Sequence, residues 1–129
     1  MNEKKLASLI RSAGYFNQKA KKIKVFAEFF SKSHERKPTR RELLSLWGIG
    51  PETADSILLY AYKMPEFVVD AYTKSFLIRE KIFTVAQLSK MTYDCIKSFF
   101  EKNLSRDHRV YNEYHALIVE HEKSFRQQK

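Results

Sequence analysis

Only 3 glycines and 3 prolines punctuate the 129 residues, so the chain has few places to turn. Scarce breakers favour helices over the many short strands of a β-sandwich or barrel. One cysteine, Cys95, excludes a disulfide framework within the chain and a four-cysteine zinc or iron–sulfur centre. "MNEKKLASLI" has no long apolar run, and no stretch is long enough to span a bilayer. Neither a secretion signal nor a membrane partner is expected, and the single thiol fits a reducing cytoplasm. Acidic residues are also short: 15 Asp and Glu face 24 Lys and Arg, a net charge of +9. So basic a domain favours a polyanion such as nucleic acid over the alternative of a solvated lysine-rich surface.

What is present is apolar and aromatic. Hydrophobic residues make up 43% of the chain and aromatics 14%, enough for one core rich in rings. The length fits one domain, residues 1–129, and no repeat or composition shift divides it. The expected fold is all-α. "EKKLASLIRSAG" reads as an amphipathic helix with Leu6, Leu9 and Ile10 on one face and Gly14 as its stop. "YFNQKAKKIKVFAEFFSK" restarts a helix with Ala20, Ile23, Phe26, Ala27 and Phe30 on the apolar face. Its "KAKKIK" run faces solvent or phosphates. "SHERKPT" reads as a polar loop, and Thr39 with Glu42 forms a capping box for "RRELLSLW".

Pro51 suits the first turn of the next helix, "PETADSILLYAY", which should bury Ala54, Ile57, Leu58 and Ala61. "KMPEFVV" reads as an extended connector, and Asp70 as the cap of "AYTKSFLIREK". Thr84 and Thr92 cap "TVAQLSKM" and "YDCIKSFFEKN", and "SRDHRV" turns into a last helix, "YNEYHALIVEHEKSF".

The densest signal is "LWGIGPETADSILLYAYKMPEFVVD". Gly48-Ile49-Gly50 between two helices makes a very tight turn. The helix after it opens with unpaired N–H groups and the positive end of its dipole, which suits a phosphate and reads no base sequence. An ordinary helix–helix turn also explains Gly-x-Gly. The capped helices on both sides, Pro51 and the basic charge favour DNA.

This stretch resembles the signature of the helix-hairpin-helix base-excision DNA glycosylases, the endonuclease III superfamily. The shared elements are a Leu-x-Gly-Ile-Gly hairpin at about 39–62, a Thr-Ala helix start and a Val-Asp after an extended connector. "SAGYFNQKAKKI" is similar to the family's Gly-Tyr/Phe-x-x-Lys-Ala helix start. With "GIGPETADSILLYA", it is most like the 3-methyladenine DNA glycosylase III type. The resemblance covers about Leu6 to Phe76.

The resemblance implies a fold and a chemistry. Asp70 falls on the catalytic aspartate, whose carboxylate stabilises the cation that forms on the sugar and orients a water. The damaged base is first flipped from duplex DNA. Gly48, Ile49, Gly50, Glu52, Thr53 and Lys19 fall on DNA-binding positions, and the hairpin carbonyls suit a potassium or sodium ion. Bifunctional members carry a lysine where Glu52 stands, and a carboxylate cannot form their Schiff base. The implied reaction is therefore monofunctional hydrolysis of an alkylated base, without an iron–sulfur cluster. Glu52 also suits the first turn of a helix on its own account.

Members of the family carry several helices before the position where this chain starts. The implied fold is thus a helix-hairpin-helix glycosylase domain truncated at its N-terminus: a fragment, or a chain completed by a homodimer or a partner segment. A non-catalytic helix-hairpin-helix DNA-binding module is the second reading, and a helical protein-interaction domain the third. His108, His115 and His121 lack the spacing of metal ligands and read as surface histidines. Tyr60, Tyr62 and Tyr72 suit either a base pocket or ordinary packing.

Overall fold

The computed structural model describes residues 1–33 and 36–128. Part of the expected polar loop, His34 and Glu35, lies outside them. Among the described residues, helix is the only repeating structure, in agreement with the all-α expectation. No described helix is long and apolar enough to cross a membrane. The chain divides into two compact units, Met1–Gly50 and Pro51–Lys129.

In the first unit, α1 (Glu3–Leu9) is capped by Asn2, whose Oδ1 accepts the Lys5 N–H at 2.8 Å. It stops earlier than the apolar spacing predicts. A 3₁₀ turn, Arg11–Ala13, follows, and Gly14 then takes φ 69°. Tyr15 sits in the left-handed region, and α2 (Phe16–Lys32) begins. α1 packs on α2, and Ala7 and Ala20 are their buried residues. The expected apolar face of α2 is only partly covered. Ile23 stays 47% exposed, while Phe26 and Phe30 are half-buried and stack 6.1 Å apart. α3 (Arg40–Leu44) carries the expected capping box: Thr39 Oγ1 accepts from Glu42 N and Glu42 Oε1 from Thr39 N, both at 3.1 Å.

In the second unit, α4 (Pro51–Ser56) starts at its proline and widens into a π-helical turn over Ile57–Ala61. The wider turn changes the buried face. Ala54 and Leu58 are buried as expected, but Leu59 goes inside and Ala61 faces solvent. Lys63, at φ 55°, ends the element, and Met64 N–H donates to the Leu58 carbonyl.

The connector carries Phe67, Val68 and Val69 into the core, all three buried without a neighbouring strand. Side chains supply the missing acceptors. Phe67 N–H donates to Glu101 Oε1 at 3.1 Å and Val69 N–H to Tyr93 Oη at 3.2 Å. Glu101 itself holds Lys97, which also pairs with Glu66 of the connector.

The remaining helices are α5 (Ala71–Arg79), α6 (Val85–Ser89), α7 (Tyr93–Asn103) and α8 (His108–Gln127). Phe67 stacks on Phe100 at 4.4 Å and meets Tyr111 edge-on at 5.7 Å, so the connector forms the middle of the core with Leu77, Ile96 and Ile118. α5 packs on α8, and the buried Glu122 accepts from Arg79 Nε at 2.9 Å. α8 begins three residues before the expected start because Asp107 caps it, taking the Arg109 N–H at 2.8 Å.

Candidate active site

Asp70 ends the connector and starts α5. The cap is reciprocal: Asp70 Oδ1 accepts from Thr73 N at 2.9 Å and from the Thr73 hydroxyl at 3.0 Å, and Asp70 N donates to Thr73 Oγ1 at 3.1 Å. Thr73 is fully buried, which fixes the frame. The other carboxylate oxygen, Oδ2, lies 3.1 Å from His115 Nε2, and His115 Nδ1 lies 2.9 Å from Tyr60 Oη. The Asp70 side chain is 16% exposed and that of His115 14%.

Burial alone would raise the Asp70 carboxyl. The bonds from His115 and Thr73 outweigh it, and the group is held below the ordinary carboxylate range. The carboxylate is therefore ionised at neutral pH. It reaches its neighbours in turn. Partial burial, then the Asp70 charge, push the Glu52 carboxyl up, against the pull of His115 and Lys74. The Tyr60 hydroxyl is raised by the same two causes.

His115 corrects the reading of it as a surface histidine. It lies 45 residues after Asp70 on α8, with no local motif around it, so the sequence carries no signal for the pairing. Tyr60 is 46% exposed yet turns its hydroxyl to the ring, and it sits on the π turn. Such turns recur at functional positions. From His115 to Gln127, α8 also lines an open groove of about 570 Å³ with Val119 and Lys123.

The hairpin residues divide by role. Gly48 has φ 78°, and a Cβ there would meet the Lys22 side chain at 2.7 Å. Ile49 is 7% exposed, whereas Gly50 is exposed and a Cβ there would meet nothing within 4 Å. Glu52 and Thr53 are exposed in the first turn of α4. Lys19 donates to the Ala13 carbonyl at 2.6 Å, closing the turn between α1 and α2. Lys21 lies over the Trp47 ring at 3.9 Å.

Residues 1–100 match the family model described as HhH-GPD superfamily base excision DNA repair protein. The chain belongs to that family. It is 48% identical over 136 aligned positions to MJ1434 of Methanocaldococcus jannaschii, a protein provisionally named a DNA repair glycosylase. That alignment covers 97% of this chain and 60% of the relative. It is 34% identical over 74 positions to the endonuclease III of Rickettsia prowazekii, covering 56% of this chain and 35% of that enzyme. The chain thus spans less than two thirds of the length of either relative. No solved structure matches it significantly.

Proposed function

We propose that the chain carries the hairpin and the catalytic aspartate of a DNA N-glycosylase that hydrolyses the bond between a damaged base and its sugar in duplex DNA. The observation that carries this reading is Asp70. It is an ionised, half-buried carboxylate at the end of a locked connector, inside a chain of the base excision repair family. Cleavage builds positive charge on the sugar, and a fixed carboxylate stabilises that charge without having to reorganise. The groove along α8 beside His115 offers room for a flipped base.

The reaction is monofunctional, because Glu52 stands where a Schiff-base amine is needed. The substrate is an alkylated base, as in the 3-methyladenine DNA glycosylase III type. Glu52, Thr53 and Lys19 contact DNA along with the hairpin. Gly50 leaves open space where a phosphate can approach the backbone, and Ile49 keeps its side chain inside. A potassium or sodium ion at the hairpin would be held by backbone carbonyls, since Gly48, Ile49 and Gly50 carry no side-chain oxygen. An iron–sulfur cluster has no ligand set in a chain with one cysteine. The protein works in the cytoplasm on duplex DNA.

One observation favours a second reading. Asp70 is a complete helix cap, so a non-catalytic DNA-binding module would also retain it. Base release from methylated duplex DNA by the wild-type chain and Asp70→Asn separates the two. Asn still caps, but the negative charge is gone. Release by wild type that falls on the order of a hundredfold in the variant, with DNA affinity kept, supports catalysis. No release by wild type, with the variant changing stability alone, leaves only the binding module.

A further inference from the structure

We propose that His115 is a positioning residue for Asp70, and that Tyr60 fixes the tautomer in which it acts; the inference rests on the glycosylase reading above. An ionised carboxylate only accepts hydrogen bonds. The 3.1 Å contact between Asp70 Oδ2 and His115 Nε2 therefore requires the proton on Nε2. In the neutral ring Nδ1 is then an acceptor, and the Tyr60 hydroxyl at 2.9 Å is its donor. In this arrangement every polar atom of the Tyr60–His115–Asp70 chain has a partner and the Asp70 charge is not neutralised.

The cap alone does not fix the carboxylate. Both bonds from Thr73 go to Oδ1, which leaves Oδ2 free to swing about that anchor. Oδ2 is the oxygen that His115 holds. A carboxylate fixed at both oxygens presents its charge in one direction, which is what an oxocarbenium-like sugar and an attacking water need. Nor is His115 needed to hold α8 in place. That helix is already tied by the Arg79–Glu122 pair and by the buried Tyr111 and Ile118. The imidazole meets Tyr60 on the π turn and Asp70 at the start of α5, Glu52 on α4 lies within electrostatic reach of it, and Glu120 and Lys123 on its own helix line the same groove.

The test uses the wild-type chain, His115→Ala, His115→Gln and Tyr60→Phe. It follows single-turnover base release from methylated duplex DNA, DNA affinity, and the ¹⁵N spectrum of the imidazole. His115→Ala should slow release roughly 10- to 100-fold, the usual effect of losing an orienting partner, with affinity within about twofold. Added imidazole should restore part of the rate. His115→Gln places an amide N–H where Nε2–H stood and should keep most of the activity. Tyr60→Phe should shift the ¹⁵N spectrum away from a single Nε2–H form and slow release severalfold. His115→Ala at the wild-type rate would overturn the inference while leaving the glycosylase reading intact. So would a loss that imidazole and Gln both fail to restore and that follows melting temperature alone. A wild-type chain that releases no base sinks the glycosylase reading, and the positioning role falls with it.

Discussion

Replacing Lys97 by Met should destabilise the second unit and, through the connector, disturb Asp70. Lys97 on α7 donates to Glu66 of the connector and to Glu101 on its own helix, the latter at 2.5 Å. The Lys97 side chain is 9% exposed, and those of Glu66 and Glu101 are 16% and 20%. Burial alone would lower the Lys97 ammonium, but the two carboxylates outweigh it and hold it above the ordinary lysine range. Met keeps the length of the stem and removes the charge, stranding two carboxylates side by side. Breaking a buried ion pair from one side costs about 3–5 kcal/mol. The carboxylates keep some water here, so the lower end, about 3 kcal/mol, is expected. In urea that moves the midpoint down by roughly 1.5–2 M at an unchanged slope. Adding Glu66→Gln and Glu101→Gln should recover more than half of it, since the amide oxygen placed at position 101 can still accept the Phe67 N–H. A Lys97→Met midpoint within about 1 kcal/mol of wild type, or a triple variant less stable than the single one, would refute the reasoning.

The two hairpin glycines should separate in their effects. Gly48→Ala forces a side chain into positive φ and against Lys22, and should cost more than about 1 kcal/mol by urea unfolding. Gly50→Asp should leave stability nearly unchanged while weakening duplex binding and its salt dependence, measured by fluorescence anisotropy. Borohydride should trap no adduct on abasic DNA, because Glu52 has no amine; a trapped band would contradict monofunctional chemistry. Asp70 sets a pH signature of its own. Its folded carboxyl lies below the ordinary value, so its stabilisation is present at neutral pH and is lost as pH falls through the folded value. Asp70→Asn should therefore lower the melting temperature near pH 7 and converge on wild type in acid.

Local chemistry was legible in the sequence wherever the physics is local. The Thr39–Glu42 box, the caps at Asp70, Thr84 and Thr92 and the start of α4 at Pro51 all depend on residues within one turn. The apolar run before Asp70 was legible as a connector, but not the Glu101 and Tyr93 side chains that satisfy its backbone from α7. The burial of Ala61 failed because a period of 3.6 cannot anticipate a π turn. His115 failed for a related reason. A histidine in the middle of a long helix carries no mark of what the fold brings to it from 45 and 55 residues away. Of the Asp70–His115–Tyr60 chain the family motif pointed to Asp70, and the pairing of the three emerged from three-dimensional packing.

These pieces give one account of why an aspartate at a helix start can serve as an electrostatic group. A carboxylate shielded from water normally drifts toward its neutral form. Here the first turn of α5 offers unpaired N–H groups, and Thr73 supplies two donors to Oδ1. His115 supplies a third donor to Oδ2, and the ionised form wins despite partial burial. Upstream, the Lys97–Glu66 and Glu101–Phe67 contacts hold the backbone that delivers Asp70 to that spot. On the glycosylase reading proposed above, the cap and the electrostatic role are the same geometry seen from two sides: one oxygen starts the helix, and the other is held by His115 of α8. Thr73→Val separates them, because it removes the hydroxyl from Oδ1 and the acceptor from Asp70 N while leaving His115 in place. It should cost roughly 1–2 kcal/mol of stability and leave base release within severalfold of wild type. Loss of release as deep as in Asp70→Asn, at equal folding, would show that the two oxygens do not divide the work this way.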